Sequence, residues 1–192
     1  GEAAPDSLAE ELRNRHVRAV IALGRSGLKA ATTLDLKLPI IAAGVLSVPE
    51  SEGQSGTVVS LAPDPQLLFT RLKAFVPQVR RVVVVYNPRQ NEWLSRLARE
   101  AARQSGLELL ALESDDLKGS LKRYQELMGQ LNVRRDALWL PQDTAAVDES
   151  TVLPWLLRTA WDEGLPVFSS NVAHVRRGAL FALYPDNIEL GR

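Results

Sequence analysis

The 192-residue chain contains no cysteine. This absence excludes disulfides, thiol nucleophiles and zinc–thiolate sites together. Histidine is also scarce: the chain has only His16 and His174, and neither has a carboxylate or a second histidine three or four residues further on. The sequence therefore shows no metal-ligand pattern, and we expect neither a metal nor another cofactor.

The chain also lacks an excess of charge of either sign. Its 23 basic and 23 acidic residues give a formal net charge of zero, and its paired arginines are scattered between acidic stretches. A nucleic-acid-binding surface needs clustered positive charge, so we expect no nucleic-acid partner.

No apolar run reaches the roughly 18 to 20 residues that span a bilayer, and no charged-then-apolar leader opens the sequence. If the protein is exported, we expect that its signal has been removed.

The most informative stretch is the one from Arg81 to Asn91. Four valines, Val82–Val85, predict a strand that is buried on both faces, because a half-exposed strand would alternate polar and apolar residues. A polar turn follows, and Glu92–Gln104 carries apolar residues at helical spacing. Strand, turn and helix form the unit of open parallel sheets, whose ligands bind beyond the carboxyl ends of the strands.

This unit recurs along the chain and predicts an α/β fold with parallel sheets and right-handed crossovers. The passage into the valine strand predicts a boundary near Val76–Arg80, with a partial N-terminal lobe at 1–78 and a C-terminal lobe at 79–192. A long loop at Gly44–Gly56 is a candidate lid or pocket wall. The other predicted strands are Val17–Leu23, Pro39–Ala43, Thr57–Leu61, Leu107–Leu112, Ala137–Leu140, Pro166–Phe168 and Ala179–Tyr184.

Polar residues follow the predicted strands, and their hydroxyl and amide groups suit hydrogen bonding to a small polar ligand. The same residue types also satisfy backbone groups in ordinary turns, so this second interpretation stays open. The chain lacks the glycine spacing of dinucleotide and nucleotide triphosphate sites, and Gly24–Gly27 is too short for a nucleophile elbow. The polar sets are Gly24–Ser26, Tyr86–Asn87, Gln142–Thr144, Ser169–Asn171, and Tyr184 with Asp186.

The order of four segments carries a family resemblance. The segments YNPRQNEWL, GLELLAL, ALWLPQDTAA and GLPVFSSNVAHVRRGALFALYPDNIELGR follow one another between Val82 and Arg192. In this order they resemble the tryptophan/tyrosine-type family of ABC transporter substrate-binding proteins. VRAVIALGRSGLKAA and PIIAA are similar to the family's N-terminal part, although less specifically. The resemblance implies a type I periplasmic-binding fold, with two doubly wound parallel-sheet lobes and a ligand in the cleft between them.

The resemblance also implies which residues contact the ligand. Two departures from the family pattern, at Val45–Pro49 and Pro141–Ala145, fall at pocket positions, so the identity of the ligand does not transfer. Relative to the family the chain is incomplete at both ends, and the lack of a first strand predicts a homodimer or a partly disordered N-terminal lobe. The implied contacts are Gly24, Arg25, Ser26 and Ser47 on one lobe and Asn87, Asn91, Gln142, Asp143, Thr144 and Asn171 on the other.

The leading hypothesis is a non-enzymatic solute-binding protein of an ABC importer, or a sensory relative, that binds a small polar organic molecule such as an amino acid or related carboxylate. We expect a periplasmic or membrane-anchored extracytoplasmic location, and an ABC permease or a membrane receptor as partner. Two alternatives remain. One is a degenerate binding domain that acts as a protein-interaction or sensory module, and the other is a small α/β enzyme that uses Asp143 or His174 as acid or base.

Overall fold

The computed structural model describes residues 10–12, 14–34, 38–45 and 56–184. The chain divides into two compact units, Gly1–Ala62 and Pro63–Arg192. This division lies before the predicted boundary near Val76–Arg80, because the intervening helix buries Leu68, Phe69 and Leu72 in the core of the second unit. The lobe limits of 1–78 and 79–192 stay a prediction.

The first unit contains a parallel sheet of three strands in the order β1-β2-β3. One face of this sheet packs through Ala22 and Ala42 against Leu28 of the helix α1. On the other face, Ile21 and Leu23 are 65% and 72% exposed. The elements are β1 (Val20–Leu23), α1 (Gly24–Thr33), β2 (Ile40–Val45) and β3 (Gly56–Ser60).

The second unit contains a parallel sheet of four strands in the order β5-β4-β6-β7. Val83 and Val85 of its β4 strand lie in one hydrophobic cluster, and Val82 and Val84 lie in another. The predicted α/β fold class and the doubly buried valine strand are therefore confirmed. The elements are α2 (Pro65–Phe75), β4 (Arg81–Tyr86), α3 (Pro88–Gln104), β5 (Glu108–Glu113), α4 (Leu117–Met128), β6 (Asp136–Leu140), α5 (Val152–Glu163), β7 (Val167–Ser169) and a 3₁₀ helix (Val172–Arg177).

A chain of aromatic contacts connects β6 and β7 to α2. The Trp139 ring stacks on Phe168 at a centroid distance of 6.4 Å and meets the edge of Phe69 at 5.7 Å. Phe168 also stacks on Phe181 at 5.4 Å. These rings are large and buried, so their packing fixes β6 and β7 against α2. Polar residues follow the carboxyl ends of both strands.

Two sequence predictions are wrong in detail. Ala179–Tyr184 does not form a strand, and Ala182 makes only an isolated bridge to Ser169, because β7 is three residues long and ends there. The predicted turn at Gly24–Gly27 is instead the first turn of α1, because Gly24 has φ +69° and lets the chain pass directly from strand to helix. None of the described helices is both long enough and apolar enough to cross a membrane.

Candidate functional site

The carboxyl edge of the second unit's sheet has a topological switch point. The chain runs from β4 to β5 on one side and then to β6 on the other side of β4. In open α/β sheets, ligands bind in the crevice at such a point. Asn87 and Asn91, which follow β4, meet Asp143, which follows β6, at this place.

Asp143 is the centre of this contact and is 3% exposed. Its Oδ2 atom accepts hydrogen bonds from the Asn87 backbone N–H at 2.7 Å and from Asn91 Nδ2 at 2.8 Å. Its Oδ1 atom accepts from the backbone N–H groups of Ala145 at 3.0 Å and Ala146 at 3.1 Å. The Asp143 carboxylate thus joins the turn after β4 to the turn after β6.

The two asparagines are buried with Asp143. Asn87 caps α3, because its Oδ1 accepts from Arg89 N–H at 2.9 Å, and its Nδ2 donates to the Asp115 carbonyl at 2.9 Å. Asn91 lies inside α3 but leaves helical geometry, with φ −128° and ψ 16°. The helix cap is thus Asn87, and α3 begins before Glu92, where the apolar spacing in the sequence starts.

Gln142 and Thr144 flank Asp143 and differ from it in environment. Both are exposed, and neither side chain forms a hydrogen bond with the described part of the chain. Their amide and hydroxyl groups are therefore available to a ligand. Among the residues predicted to bind ligand, these two present free polar groups beside the switch point.

The remaining predicted contacts follow other predicted strands. Asn171 follows β7 and caps the 3₁₀ helix, because its Oδ1 accepts from Ala173 N–H at 3.0 Å. In the first unit, Gly24 is half-buried, whereas Arg25 and Ser26 are exposed in the first turn of α1. Ser47 and Asp186 lie outside the described residues.

His174 is buried and forms a pair with Ser169, with 2.8 Å between His174 Nδ1 and Ser169 Oγ. The Ser169 hydroxyl donates to the Leu140 carbonyl at 3.1 Å and accepts from Asn171 N–H at 2.9 Å. We therefore assign the Nδ1–H tautomer to His174, which leaves its Nε2 as an acceptor facing Asn171 Nδ2 at 3.4 Å. Burial lowers the pKa of His174.

Sequence reasoning missed a cluster at the end of β4. The Tyr86 hydroxyl lies 2.9 Å from Glu92 Oε2 and 3.2 Å from Glu113 Oε1. Tyr86 and Glu113 are partners in the β4–β5 register, but each lies one residue beyond the predicted strands, so the sequence pattern did not pair them. Burial raises the pKa of Tyr86. No group of three or more His, Asp or Glu residues that could hold a metal ion occurs in the described ranges.

Comparison with solved structures supports the fold. The chain is 20% identical to a conserved domain protein from Vibrio cholerae, with a TM-score of 0.60, over 98% of this chain and 66% of that one. It is 16% identical to the ABC domain from Streptococcus pneumonia in complex with L-Trp, with a TM-score of 0.62, over 97% of this chain and 64% of that one. The chain thus spans slightly less than two thirds of the length of these relatives.

These likenesses concern the fold: the chain has the α/β fold with parallel sheets of the type I periplasmic-binding kind, as predicted. A substrate-binding protein with adhesive properties from Clostridium difficile is similar at 19% identity and a TM-score of 0.58, over 92% of this chain and 61% of that one. No curated protein matches the chain. The family model for ABC transporter substrate binding proteins matches residues 6–192. The chain therefore belongs to the ABC transporter substrate-binding protein family, as its sequence motifs predicted.

Proposed function

We propose that the protein is the extracytoplasmic solute-binding component of an ABC importer, or a sensory relative, and that it binds a small polar organic molecule such as an amino acid or related carboxylate. The observation that carries this proposal is the polar switch point, where Gln142 and Thr144 offer free hydrogen-bonding groups beside a buried network. The family match supports it. The predicted inter-lobe position of the ligand stays a prediction.

The geometry favours binding over the enzymatic alternative. Asp143 and His174 are both buried, and each is engaged by neighbouring groups of the protein. Ser169 lies close enough to His174 to resemble a nucleophile next to a base, but only the distance fits. Its hydroxyl is fully buried and donates to a backbone carbonyl. A nucleophile that attacks a substrate must reach it, and this hydroxyl is turned into the protein.

A thermal-shift screen tests the proposal. The panel contains amino acids including L-tryptophan, their deaminated carboxylates, and sugars. At a concentration of about 100 times Kd, a ligand adds about 2.7 kcal/mol to the free energy of unfolding, which raises Tm by about 5–10 °C. If no compound shifts Tm, the solute-binding function is refuted and the interaction-module alternative is favoured.

Two variants locate the binding surface in the same screen. Gln142→Ala with Thr144→Ala removes both free polar side chains, and because neither bonds within the described chain, we expect an unchanged Tm without ligand and a smaller ligand shift. Gln125→Ala removes an exposed amide from α4 and serves as the matched control, with a full ligand shift. An undiminished shift in the double variant would place the ligand elsewhere.

The homodimer predicted from the resemblance also remains a proposal. Its support is the apolar face of the first unit's sheet, where Ile21 and Leu23 are mostly exposed. Light scattering of the purified chain measures its mass. We expect twice the monomer mass of 21.1 kDa, and Ile21→Lys should reduce the mass to that of the monomer. A wild-type chain that is monomeric at all concentrations would contradict the dimer.

A further inference from the structure

We infer that Asp143 is a positioning residue, which holds the turn after β4 against the turn after β6 and does not contact the ligand. The inference rests on the proposed function, because it assigns a role within the same ligand-binding edge. It changes the role that the family resemblance gave to Asp143, which was that of a direct contact.

The hydrogen bonds of Asp143 leave no capacity for a ligand. A carboxylate offers about four acceptor sites, two on each oxygen. Oδ2 accepts from Asn87 and Asn91, and Oδ1 accepts from Ala145 and Ala146, so each oxygen already has two donors. With 3% of Asp143 exposed, a ligand donor would have to displace one of these N–H groups.

The bonds on Oδ1 determine the conformation of the turn after β6. They close the segment from Asp143 to Ala146, and the Asp143 carbonyl also accepts from Val147 N–H at 2.8 Å. Thr144 lies inside this closed segment and Gln142 directly precedes it. The Asp143 carboxylate therefore determines the positions of the free polar side chains of Gln142 and Thr144.

The bonds on Oδ2 act on the turn after β4. The Asn91 side chain reaches Asp143 from the point where α3 departs from helical geometry, and the Asn87 backbone meets the same oxygen atom. These partners are 52 and 56 residues away in the sequence, so the carboxylate is a tertiary connection between the two sides of the switch point.

The substitution Asp143→Asn tests this role with little change in shape. An asparagine has one oxygen and one NH₂ group, and either orientation of the amide points the NH₂ group at two N–H donors. One orientation loses the bonds from the Ala145 and Ala146 amides and the other loses the bond from the Asn87 amide, so one of the two turns is released. Amide hydrogen exchange followed by NMR measures this release without any ligand.

We expect the exchange of the Asn87, Ala145 or Ala146 amides to accelerate at least tenfold in Asp143→Asn, while Val83 and Leu138 in the sheet stay protected. Unchanged exchange at all three turn amides would overturn the inference. If this variant does not fold, Asn91→Ala replaces it. That change removes one donor from Oδ2, and it should accelerate exchange at Asn87 several-fold; no acceleration would overturn the inference equally.

A ligand pair separates positioning from direct contact. L-tryptophan and indole-3-propionate differ by the ammonium group, which is the group that a contacting carboxylate would bind. A positioning Asp143 predicts that Asp143→Asn weakens both compounds by the same factor, whereas selective weakening of L-tryptophan would overturn the inference. If neither compound binds the wild-type protein, that result counts against the proposed ligand class, and the exchange measurement still decides the role of Asp143.

Discussion

Acidification is expected to destabilise the second unit through His174. In the neutral tautomer, Nδ1–H donates to Ser169 and Nε2 faces the amide nitrogen of Asn171 at 3.4 Å. Protonation adds a hydrogen to Nε2, so that two donors, Nε2–H and the Asn171 NH₂ group, face each other. Asn171 cannot rotate its amide to accept this hydrogen, because its Oδ1 atom already caps the 3₁₀ helix by accepting from Ala173. The folded state therefore resists the proton that the unfolded state accepts.

The size of the effect follows from the difference between the folded and unfolded pKa values of His174. Burial is the largest cause that lowers the folded-state pKa; the charge of Arg177 lowers it further, and the charge of Glu149 opposes the shift. The unfolded state binds the proton near the ordinary pKa of 6.5. The stability contributed by neutral His174 is fully present above this pH and falls as the pH falls toward the folded-state pKa. Between about pH 7.5 and about pH 5.5, the free energy of unfolding can fall by at most about 1.4 kcal/mol through His174, which is the value for a folded state that takes up no proton in this range.

Urea unfolding followed by tryptophan fluorescence measures this loss, because all four tryptophans lie in the second unit. The free energy of unfolding of the wild type should fall more than that of His174→Gln over this pH range, by at most about 1.4 kcal/mol. His16→Gln, at an exposed position of the first unit, should retain the wild-type dependence. Asp148 has a pKa of about 2 and does not titrate in this range. Equal pH dependence in the wild type and His174→Gln would refute the reasoning.

Two further substitutions test other parts of the second unit. Asp136→Asn should lower the free energy of unfolding by about 3 kcal/mol, because this fully buried carboxylate accepts from Arg81 Nε at 3.0 Å, from Arg81 Nη2 at 2.6 Å and from Asn132 N–H at 2.8 Å. Exposed Asp162→Asn is its control, and equal stability of the two variants in urea would contradict the prediction. Tyr124→Phe should leave stability unchanged or raise it by about 1 kcal/mol, because the buried Tyr124 hydroxyl has no hydrogen-bond partner among the described residues. A loss above about 1 kcal/mol would show that this hydroxyl is bonded.

The sequence pattern predicts burial better than pairing. Four consecutive valines predict a strand that is buried on both faces, because a half-exposed strand would contain polar residues as well. The two hydrophobic clusters on either side of β4 confirm this prediction. Ala179–Tyr184 is equally apolar, and Phe181 is indeed buried, yet the segment makes only a single bridge. Pairing depends on the length of the neighbouring strand, and the short β7 strand could not be recognised from the apolar run itself.

The candidate site divides in the same way. Turn chemistry located Gln142–Thr144 at the end of β6, as the recurring strand and helix pattern predicts. It could not indicate that Asp143 points into the protein while its two neighbours are exposed. That difference arises from donors on Asn87 and Asn91, which lie more than 50 residues away in the sequence. In an irregular turn, side-chain direction follows such tertiary bonds and has no period that a single sequence displays.

The central claim is that a small polar ligand binds at the carboxyl edge of the second unit's sheet. The most direct measurement is an NMR titration of the isotope-labelled chain with the compounds of the thermal-shift panel. We predict that a binding compound moves the amide signals of Gln142 and Thr144 first, together with those of the turn after β4. A panel in which no compound moves any signal would contradict the claim, as would a binding compound whose shifts leave Gln142 and Thr144 unchanged.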